Sequence, residues 1–106
     1  MAMGETNNPE SLRVLAFFRA KAGRASELQS VLLSLVEPTQ CEPGSISYIL
    51  HTNESDPQSL MFDEIWANRR AFEEHLQKPY IESLLGKIEH LIEEPPRIEV
   101  YLKVPR

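Results

Sequence analysis

The side chains whose type and spacing could support chemistry in this sequence are few: His51, His75, His90, Cys41, Asp63 and Glu64. The histidines form no His-x-x-x-His pair, and none stands at metal-ligand spacing from Cys41, so no metal site is expected. The four glycines are scattered rather than gathered into a phosphate-cradling loop, and no Gly-x-Ser-x-Gly elbow occurs. Cys41 has no sequence-adjacent histidine to activate it and reads as a small residue near a turn. His51, near a strand end, and His90, among Glu89, Glu93 and Glu94, suit solvated positions. Asp63 suits a strand edge or a contact between copies.

His75 and Glu64 are different. His75 follows Ala71 and Phe72 by four and three residues, which puts it on the apolar stripe of a helix. It is either a core histidine bonded to a backbone carbonyl or a general base facing a pocket. Glu64 stands two residues from Phe62 and from Trp66, so alternation places all three on one largely buried strand face. A carboxylate there must be paired or protonated, since unpaired burial costs several kcal/mol. It is either a structural hydrogen-bonding group or a functional acid.

The elements that must position these groups follow from periodicity. Residues 12–19 alternate as a first strand, with Val14, Ala16 and Phe18 on one face and Leu15 and Phe17 on the other. Residues 25–39 show helical spacing, with a stripe of Leu28, Val31, Leu32, Leu35 and Val36. Glu42-Pro43-Gly44 is a turn into a second strand, 45–52. The polar loop 53–58 leads to a third strand, 60–66. Asn68 caps a helix over 69–77, which Lys78-Pro79 interrupts. A second helical piece, 80–92, carries Ile81, Leu84, Leu85, Ile88, Leu91 and Ile92, and a last strand alternates Ile98, Val100, Leu102 and Val104. The βαββαβ order predicts an α+β, ferredoxin-like antiparallel sheet with its helices on one face. Leu15, Phe17, Ile49, Met61 and Ile65 then form an apolar second face, which predicts a homodimer joined through the sheet.

Composition narrows the classes further. Hydrophobic residues make up 42% and charged residues 25%, as in ordinary globular domains. Residues 11–106 are expected to form one domain behind a disordered lead-in, 1–10. A net charge of -5, with no basic cluster beyond Arg69-Arg70, argues against nucleic acid. No apolar run is long enough to cross a membrane. The polar start lacks a signal peptide's apolar core, and one cysteine permits no internal disulfide. A cytoplasmic protein is expected.

The chain also resembles a known family. Gly23 ahead of the first helix, Glu42-Pro43-Gly44, Glu64-Ile65-Trp66 and His75-Leu76-Gln77-Lys78-Pro79-Tyr80, in that order and spacing, are similar to the antibiotic biosynthesis monooxygenases. The resemblance covers about residues 12–104. It implies dimeric α+β barrels with a pocket between sheet and helices, lined at Glu64, Trp66 and His75. The family includes cofactor-free oxygenases of phenols and quinols, haem-degrading enzymes and an isomerase. Many relatives carry a second histidine where this chain has Tyr80, and residues 12–20 lack the asparagine of the haem-degrading branch.

On the oxygenase reading the partners are a small aromatic molecule and dioxygen, with no cofactor. His75 is then the base, and Glu64 orients its imidazole or accepts a hydrogen bond from the substrate. Trp66, Phe62, Phe72 and Phe18 form the walls, and Tyr80 donates to the developing oxyanion. The alternatives are a non-catalytic binding module and a proton-shuttling isomerase of a small carbonyl compound.

Overall fold

A computed structural model describes residues 10–106. Residues 1–9, most of the expected lead-in, lie outside the described residues. The chain runs β1 (Leu12–Arg19), α1 (Ala25–Leu33), α2 (Val36–Gln40), β2 (Ser45–Thr52), β3 (Ser59–Trp66), α3 (Arg69–Leu76), α4 (Pro79–Glu82), α5 (Leu84–Ile88) and β4 (Arg97–Leu102). The sheet order is β2-β3-β1-β4 with every pair antiparallel. This is the ferredoxin-like α+β arrangement expected from the order of the elements.

Alternation places the core. Leu12, Val14, Ala16 and Phe18 of β1 are buried, and so are Leu60, Phe62, Glu64 and Trp66 of β3. The register sets Val14 opposite Glu64 and Ala16 opposite Phe62, so one continuous face meets the helices. Leu28, Leu32 and Leu35 cover it from α1 and the turn after it, and Ile88, Leu91 and Ile92 cover it from the C-terminal side. Each such side chain contributes roughly 1.5–3 kcal/mol on full burial.

Three expectations about the elements need correction. Residues 25–39 are not one helix, because the Pro38 ring would collide with the carbonyl of Ser34, four residues back. The chain turns at Ser34 and Leu35, where Ser34 Oγ donates to the Val31 carbonyl at 2.5 Å, before α2 begins. Residues 80–92 form the short helices α4 and α5. Beyond Ile88 the backbone is drawn to the end of β1, where Lys21 N–H donates to the Leu91 carbonyl and Glu93 N–H to the Arg19 carbonyl, at 2.8 and 2.9 Å. The third concerns β4. Ile98, Val100 and Leu102 lie on the helix-facing side, opposite Ala16, Val14 and Leu12, yet they are 51%, 39% and 67% exposed, because the helices of the described residues leave most of β4 uncovered. Val104 lies past the end of the strand.

The opposite sheet face carries Leu15, Phe17, Met61 and Ile65, each half-buried, beside the more exposed Ile49. Polar groups interrupt it: Arg13 grips Asp63 through two hydrogen bonds of 3.0 and 2.6 Å, and the Arg97 guanidinium lies over the Phe17 ring at 4.2 Å. No helix among the described residues is long and apolar enough to cross a membrane.

Candidate active site

Three backbone devices bring the site together. Gly44, at a φ of +86°, turns the chain from α2 into β2, and its carbonyl accepts from Ala67 N–H at 2.8 Å, tying that turn to the end of β3. Asn68 caps α3, its Oδ1 accepting from Ala71 N–H at 2.9 Å, and so sets the helix whose inner face carries Ala71, Phe72 and His75. Lys78 is extended (ψ 139°) and Pro79 opens α4, which swings Tyr80 back towards the turn before β2.

These devices leave a cavity of about 70 Å³ between sheet and helices. Val14, Ala16 and Phe18 of β1, Phe62 and Glu64 of β3, Tyr48 of β2, Phe72 and His75 of α3 and Ile98 of β4 line it, with Leu76, Ile81 and Leu84 on the helix side. His75 and Glu64 are 3% and 4% exposed, so an imidazole and a carboxyl are buried beside one mainly apolar cavity. Roomier hollows lie beside Arg13 and Tyr101 (about 230 Å³) and beside Glu89 and Pro95 (about 310 Å³). Neither brings a histidine and a buried carboxyl together, which makes the small cavity the candidate site.

The partners of the two groups differ from expectation. The carboxylate holding His75 is Glu42, whose Oε2 stands 2.9 Å from Nδ1. Glu64 instead accepts a 2.8 Å hydrogen bond from Trp66 Nε1. Among the described residues the carboxylate in contact with the His75 ring is therefore Glu42 and not Glu64. Burial pushes the Glu64 carboxyl up to about 7, opposed by the Trp66 hydrogen bond and reinforced by Asp63 and Glu42. Burial also holds the His75 imidazole below its ordinary value, against the pull of Glu42. At neutral pH the cavity thus holds a neutral imidazole and a carboxyl close to half-protonation.

Phe18, Phe62 and Phe72 stand in the cavity wall as expected. Trp66 and Tyr80 do not. Trp66 is fully buried behind His75, ring centroids 4.6 Å apart, because its Nε1 must reach the Glu64 carboxyl two residues away on the same strand face. The Tyr80 hydroxyl donates to Glu42 Oε2, with the Pro38 carbonyl 3.3 Å away, and does not line the cavity. Burial and the bond to Glu42 push that phenol up to about 12.

Two residues escaped sequence reasoning. Tyr48 stacks on Phe62 at 4.5 Å and meets His75 edge-on at 5.6 Å; its place on the Tyr48-Leu50 face of β2 was the available signal. Glu42 had no periodic signal, since the turn residues around it account for its position. Among the described residues no cluster of three or more metal-ligating side chains occurs.

Comparison with known proteins adds a framework. A family model described as antibiotic biosynthesis monooxygenase matches residues 11–85. An uncharacterized protein of Synechocystis sp. is 32% identical over 83 residues, 78% of this chain, which spans 56% of that protein's length. A solved structure from Shewanella oneidensis matches with a TM-score of 0.85 at 29% identity, covering 91% of this chain and 93% of that one. A crystal structure of an antibiotic biosynthesis monooxygenase matches with a TM-score of 0.81 at 26% identity, covering 89% and 99%.

Proposed function

The chain belongs to the antibiotic biosynthesis monooxygenase family, and from that premise we propose that it is a cofactor-independent monooxygenase of a quinol or phenolic substrate, with His75 as general base. The observation that carries this reading is the buried imidazole itself. It stands in the wall of an apolar cavity, with Nδ1 tied to Glu42 and no hydrogen bond to Nε2 among the described residues. Nε2 is then the nitrogen able to take a hydroxyl proton. Deprotonation leaves an electron-rich phenolate, which can pass an electron to dioxygen without flavin or metal. Phe18, Phe62, Phe72 and Tyr48 keep water from the hydroxyl-bearing edge, where the proton is transferred. For a simple phenol the sum is phenol and dioxygen giving quinone and water. Glu64 accepts or donates a hydrogen bond to the ring oxygen according to its own protonation.

The cavity also bears on how substrate sits. At about 70 Å³ it is smaller than the roughly 150 Å³ that encloses a benzene ring. The hydroxyl-bearing edge therefore enters, and the rest of the ring lies along the open apolar side of β4 at Ile98 and Val100, both substantially exposed. The protein acts as a homodimer, the partner covering Leu15, Phe17, Met61 and Ile65, which no helix of the described residues covers.

The test is oxygen uptake by metal-stripped protein over a panel of quinols and polycyclic phenols, with His75→Ala in parallel. Uptake above autoxidation that falls ~100-fold or more in the variant is expected. A variant within about threefold of wild type would remove His75 as the base. Product formed without oxygen would point to an isomerase, and copurification of an aromatic molecule that is never turned over would point to a binding module.

A further inference from the structure

We infer that Glu42 is the positioning residue of this site: its carboxylate, steadied by the Tyr80 hydroxyl, keeps the His75 proton on Nδ1 and leaves Nε2 as the basic nitrogen. This role rests on the reading of His75 as the base, but the geometry behind it involves no substrate.

Glu42 is 8% exposed although its neighbours Cys41 and Pro43 are exposed, so the turn before β2 drives a single carboxyl inward. Its Oε2 receives two donors, the His75 ring nitrogen and the Tyr80 hydroxyl. An oxygen that accepts from a phenol acts as a carboxylate acceptor, so Nδ1 must be the donor in the second bond. The hydrogen bond on one imidazole nitrogen settles the tautomer and thereby the state of the other. The ring is also held against turning over, with Trp66 at 4.6 Å and Tyr48 at 5.6 Å between centroids.

The titratable and charged groups around His75 are Glu42 from the turn, Tyr48 from β2, Glu64 from β3, and Lys78 and Tyr80 beyond α3. Among them only Glu42 touches a ring nitrogen. When Nε2 takes the hydroxyl proton, the O–H bond breaks and an N–H bond forms. The substrate becomes an anion, and the new imidazolium is paired with the Glu42 carboxylate instead of standing alone in an apolar space. The pair is separated by 33 residues in sequence, and Tyr80 lies 38 residues beyond Glu42. It is thus assembled only by the packing of α3 and α4 against the start of β2.

The test is long-range ¹H–¹⁵N NMR of histidine-labelled protein without any ligand, for wild type, Glu42→Gln and Tyr80→Phe. Wild type is expected to show neutral His75 protonated on Nδ1. Glu42→Gln keeps an acceptor oxygen but loses the charge, so the tautomer persists while the His75 midpoint falls. Tyr80→Phe, at a half-buried position that tolerates the change, removes a donor from Glu42 and raises that midpoint. Protonation on Nε2 in wild type, or a His75 midpoint unmoved by both variants, would overturn the inference.

Turnover separates this outcome from failure of the base assignment. Glu42→Gln should lower kcat on the best phenol of the uptake panel roughly tenfold or more, with KM little changed and with partial recovery in Glu42→Asp. If His75→Ala is harmless while the Nδ1–H signal is present, the base assignment fails and this inference, which needs a catalytic His75, falls with it. If His75→Ala is inactive while Nε2 carries the proton, His75 stays the base and the role of Glu42 alone is lost.

Discussion

Glu64→Gln should make the protein more stable, and only above mildly acidic pH. The Glu64 carboxyl is 4% exposed, and burial raises it from an ordinary 4.5 to about 7. Between those two values the folded state holds a proton that the unfolded state releases, so raising the pH favours unfolding. The stabilising contribution of the neutral acid is complete below pH 4.5 and is lost as pH rises through about 7. At about 1.4 kcal/mol for each tenfold change in proton affinity, the loss by pH 8 is about 3 kcal/mol. Glutamine has the same shape, is always neutral, and keeps an oxygen to accept from Trp66 Nε1, now 2.8 Å away. The variant should therefore match wild type near pH 4 and exceed it by about 3 kcal/mol at pH 8. His75 titrates with the opposite sign, because burial lowers it: its contribution is present above 6.5 and lost as pH falls. For that reason the difference between the two proteins, rather than the wild-type curve, isolates Glu64. The assay is urea unfolding at fixed protein concentration, followed by the single tryptophan, Trp66, at pH 4, 6 and 8. A difference that does not change with pH, or a variant less stable than wild type at pH 8, would refute the reasoning.

Three further variants test the backbone turns and the open sheet face. Gly44→Ala should lower stability by about 3 kcal/mol in thermal unfolding, the left-handed backbone contributing ~1–2 kcal/mol and the rest coming from a Cβ that would sit 2.5 Å from Ala71 Cβ at a φ of +86°. Gly23→Ala, at +79° with open space around it, should show only the backbone part. Leu15→Lys places an ammonium between Asp63 and Glu99, its cross-strand neighbours, so a single chain should tolerate it while a sheet-to-sheet dimer should not. Sedimentation should give twice the chain mass for wild type and one chain mass for the variant; one chain mass for wild type at micromolar concentration would refute the dimer.

The strands could be read from the sequence because their information is local. Alternation at period two separates Val14, Ala16 and Phe18 from Leu15 and Phe17 whatever lies above the sheet, and the structure keeps that separation. The Asn68 cap and the Lys78-Pro79 interruption are equally local, each depending on one side chain and its immediate backbone. The shared face of Phe62, Glu64 and Trp66 and the inward face of His75 followed from the same spacing, whereas a pocket between sheet and helices was what the family resemblance implied.

What spacing could not carry was decided by contacts between distant residues. Helical periodicity at 80–92 was overruled where the backbone at Leu91 and Glu93 found partners at the end of β1. Alternation in β4 described a strand, but not that the helix layer would stop short and leave Ile98 and Val100 open beside the cavity. Trp66 and Tyr80 are aromatic residues near the site in sequence logic, yet their polar atoms are claimed by Glu64 and Glu42 and turn them away from the cavity. By itself, then, the sequence determined a four-stranded antiparallel sheet with one covered face and the two titratable residues that look into it. Only the tertiary structure decided which carboxylate holds the imidazole. A buried donor must take whichever acceptor packing delivers to it, and here that acceptor is Glu42, from a turn 33 residues away.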